Sequence, residues 1–501
     1  MRRVAHFLLL LLVAVFLPSC GGGGAPVISV PGPTPPVLLS AADVSAVVNN
    51  AAASANVPFV IAVTDRVGNV LAVFRKTGAP ATATGNFGSS VSAGDLAVAL
   101  ARTAAFFSNS QAPLSSRTVR FISGVHFPPG VSNTPSAALY GIENTNRGCP
   151  LNASFAAGQS VPPARALGGG LGLGIITGKA DSNDSDPNAV NPGGVPLFKS
   201  GVLVGGVGVA GAAPDVAEFA AFTGAAGAGF GASPAPPGVV VIDGIALPFV
   251  TQTTRPAGIT AGSTAGAYLV SPIAAPAAPP EGDLVVPMAG SRLSQSEVAQ
   301  TISAAVTTAE QTRAVIRLPD GSRTRMVIAV ADLDGTILAL HRMPDSSVFS
   351  IDVAVAKARN VIWFSSAGSA DLPGVPANTA VTNRTIGFGA QPMFPPGIDG
   401  SGLGPFFSLY LSDLATPCRQ GSQALSANQN GIVFFPGSAP LYRNGVLVGG
   451  LGVSGDGVDQ DDFVTAGGAQ NFLAPDAIRA DQVSIQNVRL PYWKFPRNPT
   501  N

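Results

Sequence analysis

The chain carries one pattern twice, and that duplication constrains its fold more than any other feature. Asp65-Arg66-Val67-Gly68 with Leu71 and Arg75 returns as Asp332-Leu333-Asp334-Gly335 with Leu338 and Arg342. Asp95-Leu96-Ala97-Val98-Ala99-Leu100-Ala101-Arg102 returns as Asp352-Val353-Ala354-Val355-Ala356-Lys357-Ala358-Arg359. The glycine-rich run that starts at Gly201 returns at Gly445. The order is kept. A repeat of more than roughly 200 residues is too long for a solenoid unit, so two tandem copies of one globular domain are expected.

Bulk composition sets the class. The chain has 501 residues, 46% of them apolar, which supports two ordinary domains and excludes wholesale disorder. Only 11% are charged, with 28 basic against 28 acidic residues. That balance lacks the electrostatic footprint of a nucleic-acid binder. The 60 Gly and 44 Pro predict long loops and spacers.

The N-terminus reads as an address. Met1-Arg2-Arg3 is basic, residues 7–17 are apolar, and Leu17-Pro18-Ser19-Cys20 has the form of a bacterial lipobox. Residues 1–20 are expected to be a lipoprotein signal peptide, with Cys20 as the lipidated residue. The alternative is an ordinary secretory signal with an incidental cysteine. Residues 21–37, rich in Gly and Pro, read as a tether from a cell-envelope membrane. Domain one is expected over 38–250, a linker over 251–291 and domain two over 292–495. Cys149 and Cys418 fall at similar places in the two copies, each after a Phe-Pro-Pro-Gly element. An exported protein permits a bridge between them; two buried thiols are the alternative.

Local patterns give each copy the order helix, hairpin, helix, long irregular segment, hairpin, short helix, strand. Ser40 with Asp43, and Ser294 with Glu297, have capping-box spacing. The second helices are expected over 95–108 and 352–365, and hairpin turns at Ser200-Gly201 and Asn444-Gly445. Closing strands are expected over 239–245 and 483–490. Adjacent hairpins make an antiparallel sheet that helices must cover, so the fold class is α+β, two tandem two-layer domains.

Few residues qualify for chemistry. Gly206-Val207-Gly208 and Gly450-Leu451-Gly452 fit a dinucleotide fingerprint but run along a hairpin arm, where glycine signals close approach of another chain segment or a flat ligand. The acidic run 456–462 reads as helix-start carboxylates. His126 and His341 are the two imidazoles after the signal, at non-equivalent positions. Arg75 with Arg342, and Arg102 with Arg359, are repeated. They read either as structural salt bridges or as guanidinium clamps for carboxylates.

The pieces around Asp332–Gly335, Arg342-Met343-Pro344-Asp345, Ser350–Arg359 and Gly445–Gly455 resemble the GlcG/HbpS-like family of haem-degrading or haem-binding domains. The resemblance implies a PAS- or profilin-like antiparallel sheet, self-association, and binding of haem or another tetrapyrrole. It makes His341 the first iron-ligand candidate, His126 the second, and Arg75, Arg102, Arg342 and Arg359 propionate clamps. The leading expectation is therefore a membrane-anchored, exported lipoprotein that binds a small ligand such as haem for capture, storage or sensing. The alternatives are an enzyme acting on haem or a small hydroxy acid, and a non-catalytic pseudo-dimeric scaffold whose loops bind a protein partner.

Overall fold

The computed structural model describes residues 36–151, 164–183, 189–232 and 240–500. The signal segment, Cys20 and the tether to residue 35 lie outside the described residues. Val37–Asn501 form one compact unit that contains both repeats.

The first repeat opens with α1 (Ala41–Ser54), closed by the Ser40–Asp43 capping box. Strands β1 (Val60–Asp65) and β2 (Val70–Lys76) form a hairpin. A small ladder of β3 (Thr82–Thr84) and β4 (Ser90–Ser92) leads into α2 (Ala93–Phe107). The short α3 (Ser116–Phe121) begins the irregular segment. Strands β5 (Gly194–Lys199) and β6 (Val202–Ala210) form the second hairpin, and α4 (Pro214–Gly227) follows. Ser200 and Gly201 both have positive φ, 51° and 76°, as a two-residue type I′ turn requires.

The second repeat has the same plan. It comprises α5 (Gln295–Gln311), β11 (Val327–Ala331), β12 (Ile337–Arg342), α6 (Phe349–Phe364), β13 (Ser438–Arg443), β14 (Val446–Ser454) and α9 (Val458–Gly468). Short helices α7 (Asn383–Gly389) and α8 (Phe407–Ala415) lie in its irregular segment.

Each repeat is an α+β unit built on a five-stranded antiparallel sheet flanked by helices. The strand orders are β5-β6-β1-β2-β9 and, read in the same sense, β13-β14-β11-β12-β10. The fifth strands, β9 (Gly266–Val270) and β10 (Gly282–Val285), both come from the segment expected as a linker. The strands expected to close each copy instead form separate two-residue ladders. These are β7 (Val241–Ile242) with β8 (Ile245–Ala246), and β15 (Ser484–Ile485) with β16 (Val488–Arg489).

Alternation along β1 explains its unbroken apolar sequence. Ile61 and Val63 pack with α1 and α4, whereas Val60 and Ala62 pack with α2. A strand covered on both faces needs no polar side. The glycine strands β6 and β14 let α2 and α6 lie directly on the sheets. A Cβ on Gly208 would stand 1.9 Å from the Ala97 carbonyl oxygen, and one on Gly452 would stand 2.0 Å from that of Ala354. Close approach of a helix, and no nucleotide turn, accounts for the repeated glycines.

The repeats share a core. Phe107 at the end of α2 packs against Phe349 at the start of α6, with ring centroids 4.2 Å apart. One apolar cluster runs from Leu114, Val119 and Ile142 into Val327, Ile351 and Phe435.

Candidate functional site

The repeated turn glycine and helix arginine build a repeated device. In the first hairpin turn, Asp65 Oδ1 accepts from the N–H groups of Gly68 and Asn69 at 2.8 and 2.9 Å. One helix away, Arg102 Nε donates to the Gly68 carbonyl at 2.9 Å. In the second repeat Arg359 Nε donates to the Gly335 carbonyl at the same 2.9 Å. Each arginine thus pins the hairpin turn to the helix behind it.

Both guanidiniums also donate to other protein acceptors. Arg102 Nη1 donates to the Arg165 carbonyl at 2.7 Å. Arg359 Nη1 donates to Asn430 Oδ1 at 2.9 Å and to the Pro150 carbonyl at 3.2 Å, and its Nη2 donates to the Leu151 carbonyl. The long loop of the first repeat therefore covers the arginine of both repeats. Burial pulls each guanidinium down to about 10, still far above neutrality. The cavity left beside Arg102 is about 10 Å³, room for roughly one water.

The histidines do not meet in one site. His126 is buried, and its Nε2 lies 2.7 Å from Oδ1 of Asp399 in the other repeat. His341 Nδ1 lies 2.7 Å from Asp283 Oδ1 on the neighbouring β10. Arg342 is fully buried, and burial lowers its guanidinium to about 9. Arg75, its counterpart, is only half-buried and lines an open groove of about 530 Å³ beside β9.

Around the two cysteines, most of the polar residues at the interface were not singled out from sequence. Cys149 and Cys418 form a disulfide with their Cα atoms 5.5 Å apart, joining the two irregular segments. Beside it, Asn146 N donates to Asp352 Oδ2 at 2.8 Å and Asn144 Nδ2 donates to Asp413 Oδ2 at 2.8 Å. Glu143 and Lys179 form a fully buried ion pair at 2.7 Å. On another side of the contact, Asp345 binds Arg66 at 2.7 Å and Arg317 at 3.0 Å, and accepts from Ser110 N. Burial raises the Asp345 carboxyl, but Arg66 and Arg317 hold it below its usual value. The acidic run 456–462 is internally paired: Asp461 with Lys357, and Asp459 and Asp462 with Arg384.

Asp413 should make this interface sensitive to pH. Burial raises its carboxyl to about 7, against the pull of Asn144, the Ile432 N–H and the Arg147 charge. A carboxyl raised in the folded state above its unfolded 3.8 holds its proton more tightly when folded. Its stabilising contribution is present in full below about pH 4 and is lost as pH rises through about 7. Urea unfolding at pH 5 and pH 8 should show lower stability at pH 8. The change should be on the order of 3 kcal/mol at most, at about 1.4 kcal/mol per pKa unit. Asp413→Asn should shrink that difference, and an unchanged difference would refute the assignment.

The matches to known proteins cover parts of the chain. The family model described as haem degrading protein HbpS-like matches residues 293–470, within the second repeat. The corrinoid adenosyltransferase PduO of Salmonella typhimurium is 28% identical over 150 residues, covering 30% of this chain and 33% of the relative. PduO of Citrobacter freundii is 29% identical over 150 residues with the same coverage. The chain thus spans about a third of the length of these curated relatives. Among solved structures, the PduOC:heme complex aligns at 24% identity and TM-score 0.24, covering 36% of this chain and 94% of that one. Protein ORFY of Klebsiella pneumoniae aligns at 20% and 0.24, covering 35% and 88%. A double mutant of HbpS from Streptomyces reticuli aligns at 21% and 0.22, covering 40% and 98%. The two sheets give the chain a tandem two-domain architecture, and the family-model match and the curated relatives make it similar, at the level of a superfamily, to HbpS-like and PduO-like proteins.

Proposed function

We propose that this chain is an exported, lipid-anchored scaffold in which two HbpS-like repeats form a permanent pseudo-dimer that binds a protein partner without catalysis. The observation that carries this reading is the inter-repeat clamp. The Cys149–Cys418 bridge holds the loop whose Pro150 and Leu151 carbonyls cover Arg359. A guanidinium satisfied by its own chain has little left to offer a substrate. The second repeat's irregular segment also exposes Ile398, Leu403, Leu411 and Leu425, large aliphatic side chains suited to a protein contact. A disulfide accords with an oxidising compartment outside the cytoplasm. No helix among the described residues is long and apolar enough to cross a membrane.

The second reading is haem binding, and one observation favours it. His341 is partly exposed and has Nδ1 held by Asp283, which leaves Nε2 as the free nitrogen. A carboxylate that orients an imidazole from behind is a common support for a metal ligand. The HbpS-like match over 293–470 spans this histidine.

One comparison tests both. Full-length protein should sediment with membranes, and Cys20→Ser should move it to the soluble fraction. The mature protein titrated with hemin to 10 µM (about the micromolar range of specific binding) should show no Soret shift. A saturable shift that His341→Ala weakens by about ten-fold or more would replace the scaffold reading with haem binding.

A further inference from the structure

The two repeats treat their equivalent strand-end arginines differently, and the second shows what the first lacks. Arg342 Nη1 donates to the Pro280 carbonyl at 3.0 Å, its Nη2 donates to the Ser346 carbonyl, and Glu281 Oε1 lies 3.6 Å from Nη1. Pro280 and Glu281 stand immediately before β10, whose first residue, Gly282, pairs with Arg342. In the first repeat Arg75 pairs with Ala267, and the residue before Ala267 is Gly266. Asp345, three residues after Arg342, has Gly78 as its counterpart after Arg75. Both carboxylates near Arg342 are therefore missing around Arg75.

Arg75 keeps one protein acceptor, the Pro80 carbonyl, 2.9 Å from Nη2. Its Nε is buried without a hydrogen-bond partner, as is that of Arg342, so the difference between the twins lies in the missing acids and the open space. A buried unpaired donor is costly, more so when charged. The space beside it is the open groove of about 530 Å³, inside the roughly 300–1,000 Å³ range of small-molecule sites. No acidic side chain lines it, while Ala79, Ala267 and Leu269 give it an apolar wall. Lys76 also borders the groove, but its ammonium is committed to the Ala52 and Ala55 carbonyls at the end of α1. Strand β9 already occupies the position that β10 holds in the second repeat. What is absent is the acid and not the strand.

We infer that this groove is a binding site for a small monocarboxylate with a short apolar tail. The Arg75 guanidinium takes the carboxylate, as a planar fork of donors suits. Ala79, Ala267 and Leu269 take the tail. The site needs neither haem nor a metal, and it stands apart from the scaffold reading.

The test is calorimetric titration of the intact mature chain with hexanoate, hexanol and hexylamine. Hexanoate should bind saturably at one site, and hexanol and hexylamine at least about ten-fold more weakly, the scale of a charge-assisted hydrogen bond. Arg75→Gln should weaken hexanoate by about ten-fold or more. Ala267→Trp, at an exposed position that keeps Arg75, should block the groove and weaken hexanoate comparably. Both variants are checked for wild-type thermal unfolding. Hexanoate binding no tighter than hexanol, or undiminished in both folded variants, overturns the proposal.

Discussion

Gly452→Ala should destabilise the second repeat by more than about 3 kcal/mol, beyond the usual 1–3 kcal/mol of an overpacked core. The reason is what the new methyl would meet. Its Cβ would stand 2.0 Å from the Ala354 carbonyl oxygen, 2.6 Å from Ala358 N and 3.0 Å from Lys357 Cβ. Two of these three are backbone atoms of α6, so no rotamer change relieves the clash. The helix must lift from the sheet, and with it the buried Lys357–Asp461 pair and the face shared with the first repeat. Gly208→Ala should act likewise in the first repeat, where the Cβ meets Ala97 O and Ala101 N. Gly168→Ala, with nothing within 4 Å, is the control and should change stability by less than about 0.5 kcal/mol. Urea unfolding followed by far-ultraviolet circular dichroism checks the set. A Gly452→Ala midpoint equal to the control would mean that the helix and strand are not in this contact.

Loss of the disulfide is the second large effect. Cys149 and Cys418 are separated by 269 residues. Closing a loop of that length removes unfolded-state entropy worth about 5.6 kcal/mol in the chain-entropy account. The bridge also fixes the segment that places the Pro150 and Leu151 carbonyls on buried Arg359. The Cys149→Ser/Cys418→Ser double variant should remain folded through the shared core but melt at a clearly lower temperature. Amide exchange should accelerate first at 144–151, whose hydrogen bonds cross to the second repeat. Identical melting of oxidised and reduced wild-type protein, with the bridge verified by mass spectrometry, would contradict this.

Much of the scaffold is legible in the chain because its signals are local. The capping boxes at Ser40 and Ser294, the turns at Gly201 and Gly445 and the glycine strands all depend on residues close in sequence. The fifth strands are not legible. β9 is an exposed edge, so Gly266-Ala267-Tyr268-Leu269 needs no alternating pattern, and its Ala-, Pro- and Thr-rich surroundings read as linker. The closing strands over 239–245 and 483–490 carry suitable β-branched residues, but both sheet edges are already occupied by other strands.

The site follows the same division. Repetition marks Arg75, Arg102, Arg342 and Arg359 as special, yet spacing cannot reveal that all four end on backbone carbonyls, which every residue possesses. His126–Asp399 and Asn144–Asp413 join residues more than 260 positions apart. No periodicity could announce them.

A pair of domains that meets by collision comes apart on dilution and must keep both faces alike. Here the two halves travel on one chain and share a core, so their association is independent of concentration. Released from symmetry, each half can diverge alone. That is how one strand-end arginine could be sealed by a neighbouring glutamate while its twin stayed open to a visitor.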